Sequence, residues 1–325
     1  MTTSLTKEGY TMATQANSTE TPGFSYFSDF VRDSLRGSNS NASQVAYVAG
    51  GGGYTSAVRD MFMGKSTWCK SPSQTVNYVS CHDGYTLYDR LTLSTRDVSD
   101  TDRIKMNNLA AAIVLTSQGT PLFQAGEEML RSKPLEEGGF DHNSYKSSDA
   151  INSIKWDNLN DEAVADVADY YAGLIAFRKA HPALRMDTAE DVEAHITTLG
   201  GLEFNVQACH ISAGANGEEN EIVAIFNPRS AETVVTLPEG QWDIYINGAD
   251  AGTEILGTAE GTVTVDAISA CVLVKTAEAE ETVPATEAPE ESVESNGMGG
   301  AMVAIIAAVV AAIAAVLVAL KKRKK

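Results

Sequence analysis

The amino-acid sequence predicts an α/β region followed by an all-β region and one transmembrane helix. Its 325 residues correspond to about two domains at ~150 residues per domain. In residues 1–185, strand-like apolar runs alternate with runs of helical spacing, and in residues 186–276 β-branched runs are separated by turn residues. Residues 298–320 contain no charge and no proline, which is typical of a helix that spans a membrane.

The α/β region shows its elements in the order strand, helix, strand, helix. The stretch GFSYFSDFVRDSLRG predicts a strand that runs into a helix, and TVNYVSCHD predicts a buried strand. From Arg103 to Gly119, RIKMNNLAAAIVLTSQG has helical spacing, and PLFQAGEEML then predicts a short buried strand. A second helix, DEAVADVADYYAGLIAFRKAHPAL, is stopped by Pro182. Such alternation indicates a parallel sheet or barrel, although three units are too few to close an eight-stranded barrel.

The all-β region, residues 186–276, predicts a small antiparallel sandwich. Residues 277–297 are rich in glutamate and contain no cation, which is typical of a disordered linker. The transmembrane helix is followed by KKRKK at 321–325, and the positive-inside rule places such a tail in the cytoplasm. These features predict a single-pass protein of the cell membrane with an extracellular body.

The charge balance excludes one class of partner. The chain has 24 Lys and Arg against 43 Asp and Glu, a formal net charge of −19, whereas phosphate binding needs clustered cations. We therefore expect no nucleic acid partner, and the acidic body suits an extracellular protein with a neutral ligand. Four cysteines without C-x-x-C spacing argue against zinc; isolated thiols are favoured, and one or two disulfides of unassigned pairing are the alternative.

The N-terminal sequence MTTSLTKEGYTMATQANS lacks the apolar segment of a signal peptide. An extracellular body requires such a signal. Two interpretations follow: the protein is tail-anchored with a cytosolic body, or further sequence precedes Met1 in the natural protein.

Polar residues follow the predicted strands, where α/β barrels carry their functional groups. His82 and Asp83 come directly after one strand, and Gln124, Glu127 and Glu128 come after the next. For the first pair the alternative is a structural role at a loop, and for the two glutamates it is charge at a helix N-terminus.

A polar loop, FDHNSYKSSDAINSIKWD, has the composition of a sugar-lined groove. Tyr145 is a candidate stacking platform there, and Trp156 is a second, although we expect Trp156 to pack in the core. Asp29 and Asp33 read as helix-cap and solvent-facing residues.

Several of these stretches together resemble a family. VNYVSCHDGYTLYDRL, LTSQGTPLFQAGEEMLRSK, FDHNSYKSSDAINSIKWDNL and YFSDFVRDSLRGS are similar to type I pullulanase, a debranching member of the α-amylase superfamily (glycoside hydrolase family 13). The resemblance implies the C-terminal part of a (β/α)8 barrel, about strands six to eight, followed by the all-β domain. It also implies hydrolysis of α-1,6-glucosidic bonds in pullulan, starch or glycogen with retention, and an α-glucan or malto-oligosaccharide as partner.

The resemblance assigns roles to individual residues. Asp83 matches the carboxylate that stabilises the transition state, and His82 matches the residue that binds the sugar at the reacting subsite. Tyr85, Asn143, Ser144 and Tyr145 match residues of the substrate groove. The family usually has His-Asp-Asn at this strand end, whereas Gly84 matches isoamylase-like relatives, which leaves the linkage preference open.

Two catalytic motifs of the family are absent from the sequence. Neither the R-F-D motif of the nucleophilic Asp nor the E-G-W motif of the acid/base Glu occurs in the chain, and retaining hydrolysis needs both carboxylates. We therefore expect the chain to be the C-terminal portion of a membrane-anchored debranching enzyme and to be inactive alone. The alternatives are a non-catalytic surface α-glucan-binding protein and an unrelated acidic adhesin.

No metal site or cofactor is predicted. The sequence contains no H-E-x-x-H motif, EF-hand loop or Cys/His quartet. Calcium is common in the superfamily, but no motif assigns a site here.

Overall fold

A short parallel sheet carries the first part of the chain. The computed structural model describes residue 9 and residues 11–275. Within them, β1 (Tyr26–Phe27), β2 (Thr75–Asn77) and β3 (Thr120–Pro121) lie side by side in sequence order, all parallel. Because the strands are parallel, their carboxyl ends meet at one edge, which is where a barrel presents its chemistry.

Helices surround this sheet and fill the connections between its strands. Several begin at a side-chain cap: the hydroxyls of Thr86 and Ser99 and the carboxylate of Asp161 accept backbone N–H bonds at three of the N-termini. The helices in chain order are α1 (Asp29–Arg36), α2 (Thr55–Phe62), α3 (Leu87–Ser94), α4 (Asp100–Thr116), α5 (Asp149–Asn152), α6 (Glu162–Ala180) and α7 (Ala189–His195).

The C-terminus of α4 is satisfied by a buried arginine of α6. The Arg178 guanidinium donates to the carbonyls of Leu115 at 2.9 Å, Ser117 at 2.7 Å and Gly119 at 2.9 Å. These carbonyls would otherwise be buried without partners. Burial lowers the pKa of Arg178 to about 10, so the side chain stays charged at neutral pH and holds α4 against α6.

The all-β part is one hydrogen-bonded sheet, which corrects the predicted sandwich of two sheets. Its order within residues 11–275 is β4-β5-β6-β9-β7-β8, with antiparallel neighbours throughout. The strands are β4 (Ile196–Thr198), β5 (Gln207–Ile211), β6 (Ile222–Asn227), β7 (Thr233–Ile246), β8 (Gly257–Val265) and β9 (Ser269–Lys275).

The reason for the correction lies in the length of β7. A register shift divides its pairing with β8 between Thr236 and Gln241, and only the second half also pairs with β9. Val235 of the first half nevertheless packs with Val223 of β6 and Leu273 of β9 in one buried cluster. One hydrogen-bonded sheet thereby encloses a buried interior of its own.

The opposite face of the sheet packs on the helices. Phe226 of β6 meets Phe62 of α2 with ring centroids 6.0 Å apart, and the Tyr47 hydroxyl donates to the Phe226 carbonyl at 3.0 Å. The Tyr170 hydroxyl of α6 donates to the Asn247 carbonyl at 3.0 Å. The helices and the β-sheet therefore share one core.

The described part of the chain does not contain the membrane-crossing helix that the predicted fold class includes. None of the helices within residues 11–275 is both long enough and apolar enough to cross a bilayer. The predicted linker (277–297), transmembrane helix (298–320) and basic tail (321–325) lie outside the described residues.

The strands predicted in the α/β region are longer than the observed ones, since β2 ends at Asn77 and β3 at Pro121. All four cysteines are free thiols.

Candidate functional site

The chain leaves β2 buried and then turns abruptly to the surface. Tyr78, Val79 and Ser80 are buried, whereas the side chains of His82 and Asp83 are 85% and 84% exposed, with Nε2 and Oδ2 3.4 Å apart. The structure therefore presents an imidazole and a carboxylate to solvent beyond the carboxyl end of β2.

Gly84 completes this turn and requires the absence of a side chain. Its φ is +81°, and a Cβ there would lie 2.4 Å from the Asn39 amide nitrogen. The left-handed conformation favours glycine. The turn then leads to Thr86, whose hydroxyl accepts from the Asp89 amide at 3.2 Å and begins α3.

A groove of about 540 Å³ lies at this edge of the parallel sheet. It brings together four residues singled out in the sequence, His82, Gln124, Ser144 and Tyr145. The remaining lining residues are Phe27, Cys81, Leu122, Phe123, Ala125, Arg131, Lys133 and Asn152.

Three other predicted residues lie beside the groove instead of lining it. Asp83 and Asn143 are exposed next to His82 and Ser144. The Tyr85 ring packs on the His142 ring, with centroids 5.3 Å apart. Tyr85 therefore helps to join the strand-end turn to the polar loop.

The polar loop owes its shape to side chains that bond its own backbone. The Asp141 carboxylate accepts from the Asn143 amide at 2.9 Å and the Ser147 hydroxyl at 2.5 Å, and these bonds lower the pKa of Asp141. The Asn152 amide donates to the carbonyls of Ser144 at 2.6 Å and Ser147 at 3.0 Å. These bonds give a defined shape to the loop, which contains only short helical turns such as α5.

Two aromatic side chains of this loop are exposed. Tyr145 is 73% exposed and Trp156 is 66% exposed, so the prediction that Trp156 packs in the core is wrong. Lys146 Nζ lies 5.1 Å from the Tyr145 ring centroid. Tyr145 lines the groove and offers its ring as a surface on which a sugar can stack.

Glu127 faces the protein interior instead of the groove. The Ser80 hydroxyl and the Tyr171 hydroxyl, the latter at 3.0 Å, donate to its two carboxylate oxygens. Burial raises the pKa of Glu127 to about 7, although these bonds and the Arg36 charge oppose the rise. Glu128 instead accepts from the Gly126 amide at 2.9 Å, which matches the alternative of a carboxylate at a helix N-terminus.

The two candidate aspartates of α1 have structural partners. Asp29 is the first residue of α1 and accepts a hydrogen bond from the Tyr78 hydroxyl. Asp33 accepts from Arg32 Nε at 2.7 Å. Both lie outside the groove lining.

Three polar side chains of the lining were not singled out in the sequence. Arg131 and Lys133 occur in the stretch LRSK, which has no periodicity, and Asn152 lies within a short helix. No cluster of three or more His, Cys, Asp or Glu side chains suited to a metal ion occurs among residues 11–275. The groove combines hydroxyl, amide, imidazole and cationic donors with an exposed ring.

Comparison with known proteins identifies relatives over both parts of the chain. Residues 192–250 match the family model "Pullulanase, all-beta domain". The pullulanase of Bacillus subtilis is 35% identical over 193 residues, which is 58% of this chain and 26% of that protein.

Solved structures show the same similarity. The pullulanase of Bacillus acidopullulyticus superposes with a TM-score of 0.74 at 34% identity, covering 78% of this chain and 30% of that one. The pullulanase of Paenibacillus barengoltzii, in complex with maltohexaose and α-cyclodextrin, has a TM-score of 0.73 at 32% identity, covering 80% of this chain and 40% of that one. The chain thus spans between about a quarter and two fifths of these relatives' length.

Proposed function

We propose, from the premise that this chain is homologous to a part of the pullulanases, that it forms the C-terminal, sugar-facing portion of an α-glucan debranching enzyme. Its ligand would be an α-glucan or a malto-oligosaccharide. The homology supports the enzyme family, and the groove beyond β2 and β3 supports the ligand class.

The observation that carries the proposal is the composition of that groove. His82, Gln124 and Ser144 offer hydrogen-bonding groups from three separate segments, and Tyr145 adds an exposed ring beside them. Pockets that bind sugars combine a few placed polar groups with an aromatic surface. His82, Ser144 and Tyr145 also match residues that the resemblance assigns to the family's substrate groove.

For the reaction, we propose hydrolysis of α-1,6-glucosidic bonds with retention. The exposed Asp83 carboxylate would stabilise the oxocarbenium-like transition state. His82, 3.4 Å from it, would donate a hydrogen bond to the sugar at the reacting subsite.

We further propose that this chain alone does not hydrolyse glucan. Retaining catalysis needs two carboxylates about 5 Å apart across the scissile bond. Of the groove-lining residues, all within the described part of the chain, none is a carboxylate. Glu127 is buried beneath the strand end, and Asp83 stands alone at the rim.

The experiment is an assay of the full chain with pullulan. We expect no reducing sugar above a buffer blank over hours at neutral pH, together with maltohexaose-dependent NMR shifts that saturate. Release of reducing sugar that disappears in Asp83→Asn would contradict the proposed inactivity. Absence of any binding would contradict the proposed ligand.

A second candidate, a non-catalytic α-glucan-binding protein, is favoured by the same groove without a second carboxylate. The DNA upstream of the Met1 codon separates the two. An in-frame region that encodes R-F-D and E-G-W motifs supports the enzyme portion, whereas a stop codon there supports the binding protein.

We also propose that the body of the protein lies outside the cell. The excess of 43 acidic over 24 basic residues supports this, because such a surface suits a soluble extracellular body. Accessibility of the body to protease added to intact cells tests the location; complete protection until the cells are lysed would contradict it.

A further inference from the structure

Two of the segments that contribute to the groove lining are far apart in sequence. The first is the turn of residues 82–85, which carries His82 and leads into α3. The second is the part of the polar loop between residues 141 and 152, which carries Ser144 and Tyr145. Besides the contact between the Tyr85 and His142 rings, the short segment 131–133 connects them, and its side chains explain how.

Asp89 fixes this connecting segment to α3. Its side chain is fully buried, and its carboxylate accepts from the Ser132 hydroxyl at 2.5 Å and the Lys133 amide at 2.9 Å. Asp89 belongs to the first turn of α3, directly after the strand-end turn. Asp89 therefore fixes the position of Lys133 relative to the turn of residues 82–85.

Lys133 in turn contacts the polar loop. Its Nζ donates to the Ser144 hydroxyl at 2.7 Å, and its backbone carbonyl accepts from the Asp141 amide at 2.8 Å. One residue thus holds the loop at two places, by backbone at its start and by side chain next to Tyr145.

The burial of this lysine is costly and calls for a reason. Lys133 is 2% exposed, and within residues 11–275 its ammonium makes no ion pair within 4.0 Å. A buried ammonium without a paired carboxylate is unfavourable, and ordering its long side chain costs entropy. Burial lowers the pKa of Lys133, while Asp141 and Asp89 oppose that change. A methionine would fill the same space at lower cost, so the hydrogen bond to Ser144 distinguishes the lysine.

Other contacts of the loop hold the backbone of Ser144, while Lys133 holds its side chain. The Ser144 carbonyl is held by Asn152 at 2.6 Å, and Arg131 Nη2 holds the Asn152 carbonyl at 2.5 Å. Ser144 is thereby fixed from two sides, while Tyr145 beside it projects into solvent.

We propose that Lys133, held by Asp89, is a positioning residue that fixes Ser144 and thereby sets the Tyr145 ring at the groove that His82 also lines. The inference rests on the proposed glucan-binding function for its consequence, but the contact itself is tested without a ligand.

The first measurement is hydrogen exchange of the full chain, comparing wild type with Lys133→Met. We expect exchange across residues 141–152 to rise roughly tenfold, the effect of losing one hydrogen bond of a charged donor, while β5, β6 and β9 keep their protection. Lys133→Gln, whose amide still donates, restores most of the protection. Lys179→Met, at an exposed position of α6, is the matched control and leaves the loop unchanged.

The second measurement is a double-mutant cycle with maltohexaose as the probe. Lys133→Met weakens the affinity by roughly tenfold and Ser144→Ala by at least as much, and the double variant is little worse than Ser144→Ala, because Lys133 acts through the Ser144 hydroxyl. Additive losses, or unchanged exchange in Lys133→Met, would overturn the inference. If wild type fails to bind maltohexaose yet the exchange result holds, the proposed function fails and the positioning role stands.

Discussion

The Tyr171 hydroxyl donates a hydrogen bond to the Glu127 carboxylate at 3.0 Å inside the shared core. The other carboxylate oxygen accepts from Ser80, two residues before His82. An ionisable group is thus buried directly beneath the strand end that carries the candidate catalytic residues. This placement links the protonation of Glu127 to the stability of the site.

The stability of the described unit should fall as the pH rises through neutrality. Burial raises the Glu127 pKa from 4.5 to about 7, so the folded state holds a proton that the unfolded state has released. This contribution is complete below about pH 4.5 and is lost as the pH passes 7, and it amounts to about 3 kcal/mol. Urea unfolding at pH 5 and pH 8 measures it.

The variant Glu127→Gln isolates this group, since other ionisable residues contribute equally to both proteins. The stability of the variant relative to wild type should increase by about 3 kcal/mol between pH 5 and pH 8. Glu128→Gln, at a half-buried neighbour, serves as control. A constant difference between Glu127→Gln and wild type over this range would show that Glu127 does not titrate near neutrality.

Removing the Asp83 carboxylate should affect sugar binding but not folding. The side chain is 84% exposed, so Asp83→Ala should change the unfolding free energy by less than about 0.5 kcal/mol. Affinity for maltohexaose, measured by NMR titration, should fall roughly tenfold, the effect of one hydrogen bond to a charged group. Asp157→Ala, at another exposed aspartate, should change neither quantity; equal losses in both variants would contradict the assignment.

Shortening Tyr145 should weaken glucan binding through loss of stacking. The ring is 73% exposed, so Tyr145→Ala should leave stability unchanged and cost about 1 kcal/mol of binding free energy. Tyr145→Phe, which keeps the ring, should bind nearly as wild type does. Asn143→Ala should also bind more weakly. Calorimetry with maltohexaose checks all three, and an adhesin without a glucan site would show no difference among them.

The open edge of the parallel sheet should cause self-association. β1 has no neighbour on its outer side among the described strands, and Phe27 in this strand and Phe30 on α1 are 44% and 75% exposed. Unpaired edges and exposed apolar patches promote association. Sedimentation velocity at protein concentrations from about 1 to about 100 μM, the range in which such surfaces begin to associate, should show larger species in wild type than in Phe30→Ser.

Phe204→Ser is the matched control, because Phe204 is also 75% exposed but lies in the all-β part. It should sediment as wild type does. If both variants reduce association equally, general surface apolarity is responsible instead of the β1 edge.

The sequence could locate the strand-end turn because buried and exposed types change sharply there. Tyr78, Val79 and Ser80 are enclosed and His82 is exposed, as the pattern of the stretch indicated. The roles of Glu127 and Lys133 could not be predicted in this way. Both side chains are charged and would be assigned to the surface by type, and only partners 44 and 11 residues distant in sequence enclose them.

The irregular pairing of β7 was equally hidden from the sequence. Its β-branched residues predict a strand, but the register shift between Thr236 and Gln241 depends on pairing with β8 and β9. Trp156 illustrates the opposite error, because residue type favoured the core and the loop geometry left it 66% exposed. Local pattern thus identifies the elements, while distant pairing decides which way their side chains face.

The contact of the Phe62 and Phe226 rings limits how such proteins can be recombined. A chimera could join residues 1–185 of this chain to the β-sheet of a relative. Its two packing surfaces would not be matched to each other, and the hydroxyls of Tyr47 and Tyr170 would lose the backbone carbonyls to which they donate here. The helices and the sheet must therefore be exchanged together. Shuffling between homologues should succeed at the exposed loops of the sheet and fail at the junction that the sequence marks as a domain boundary.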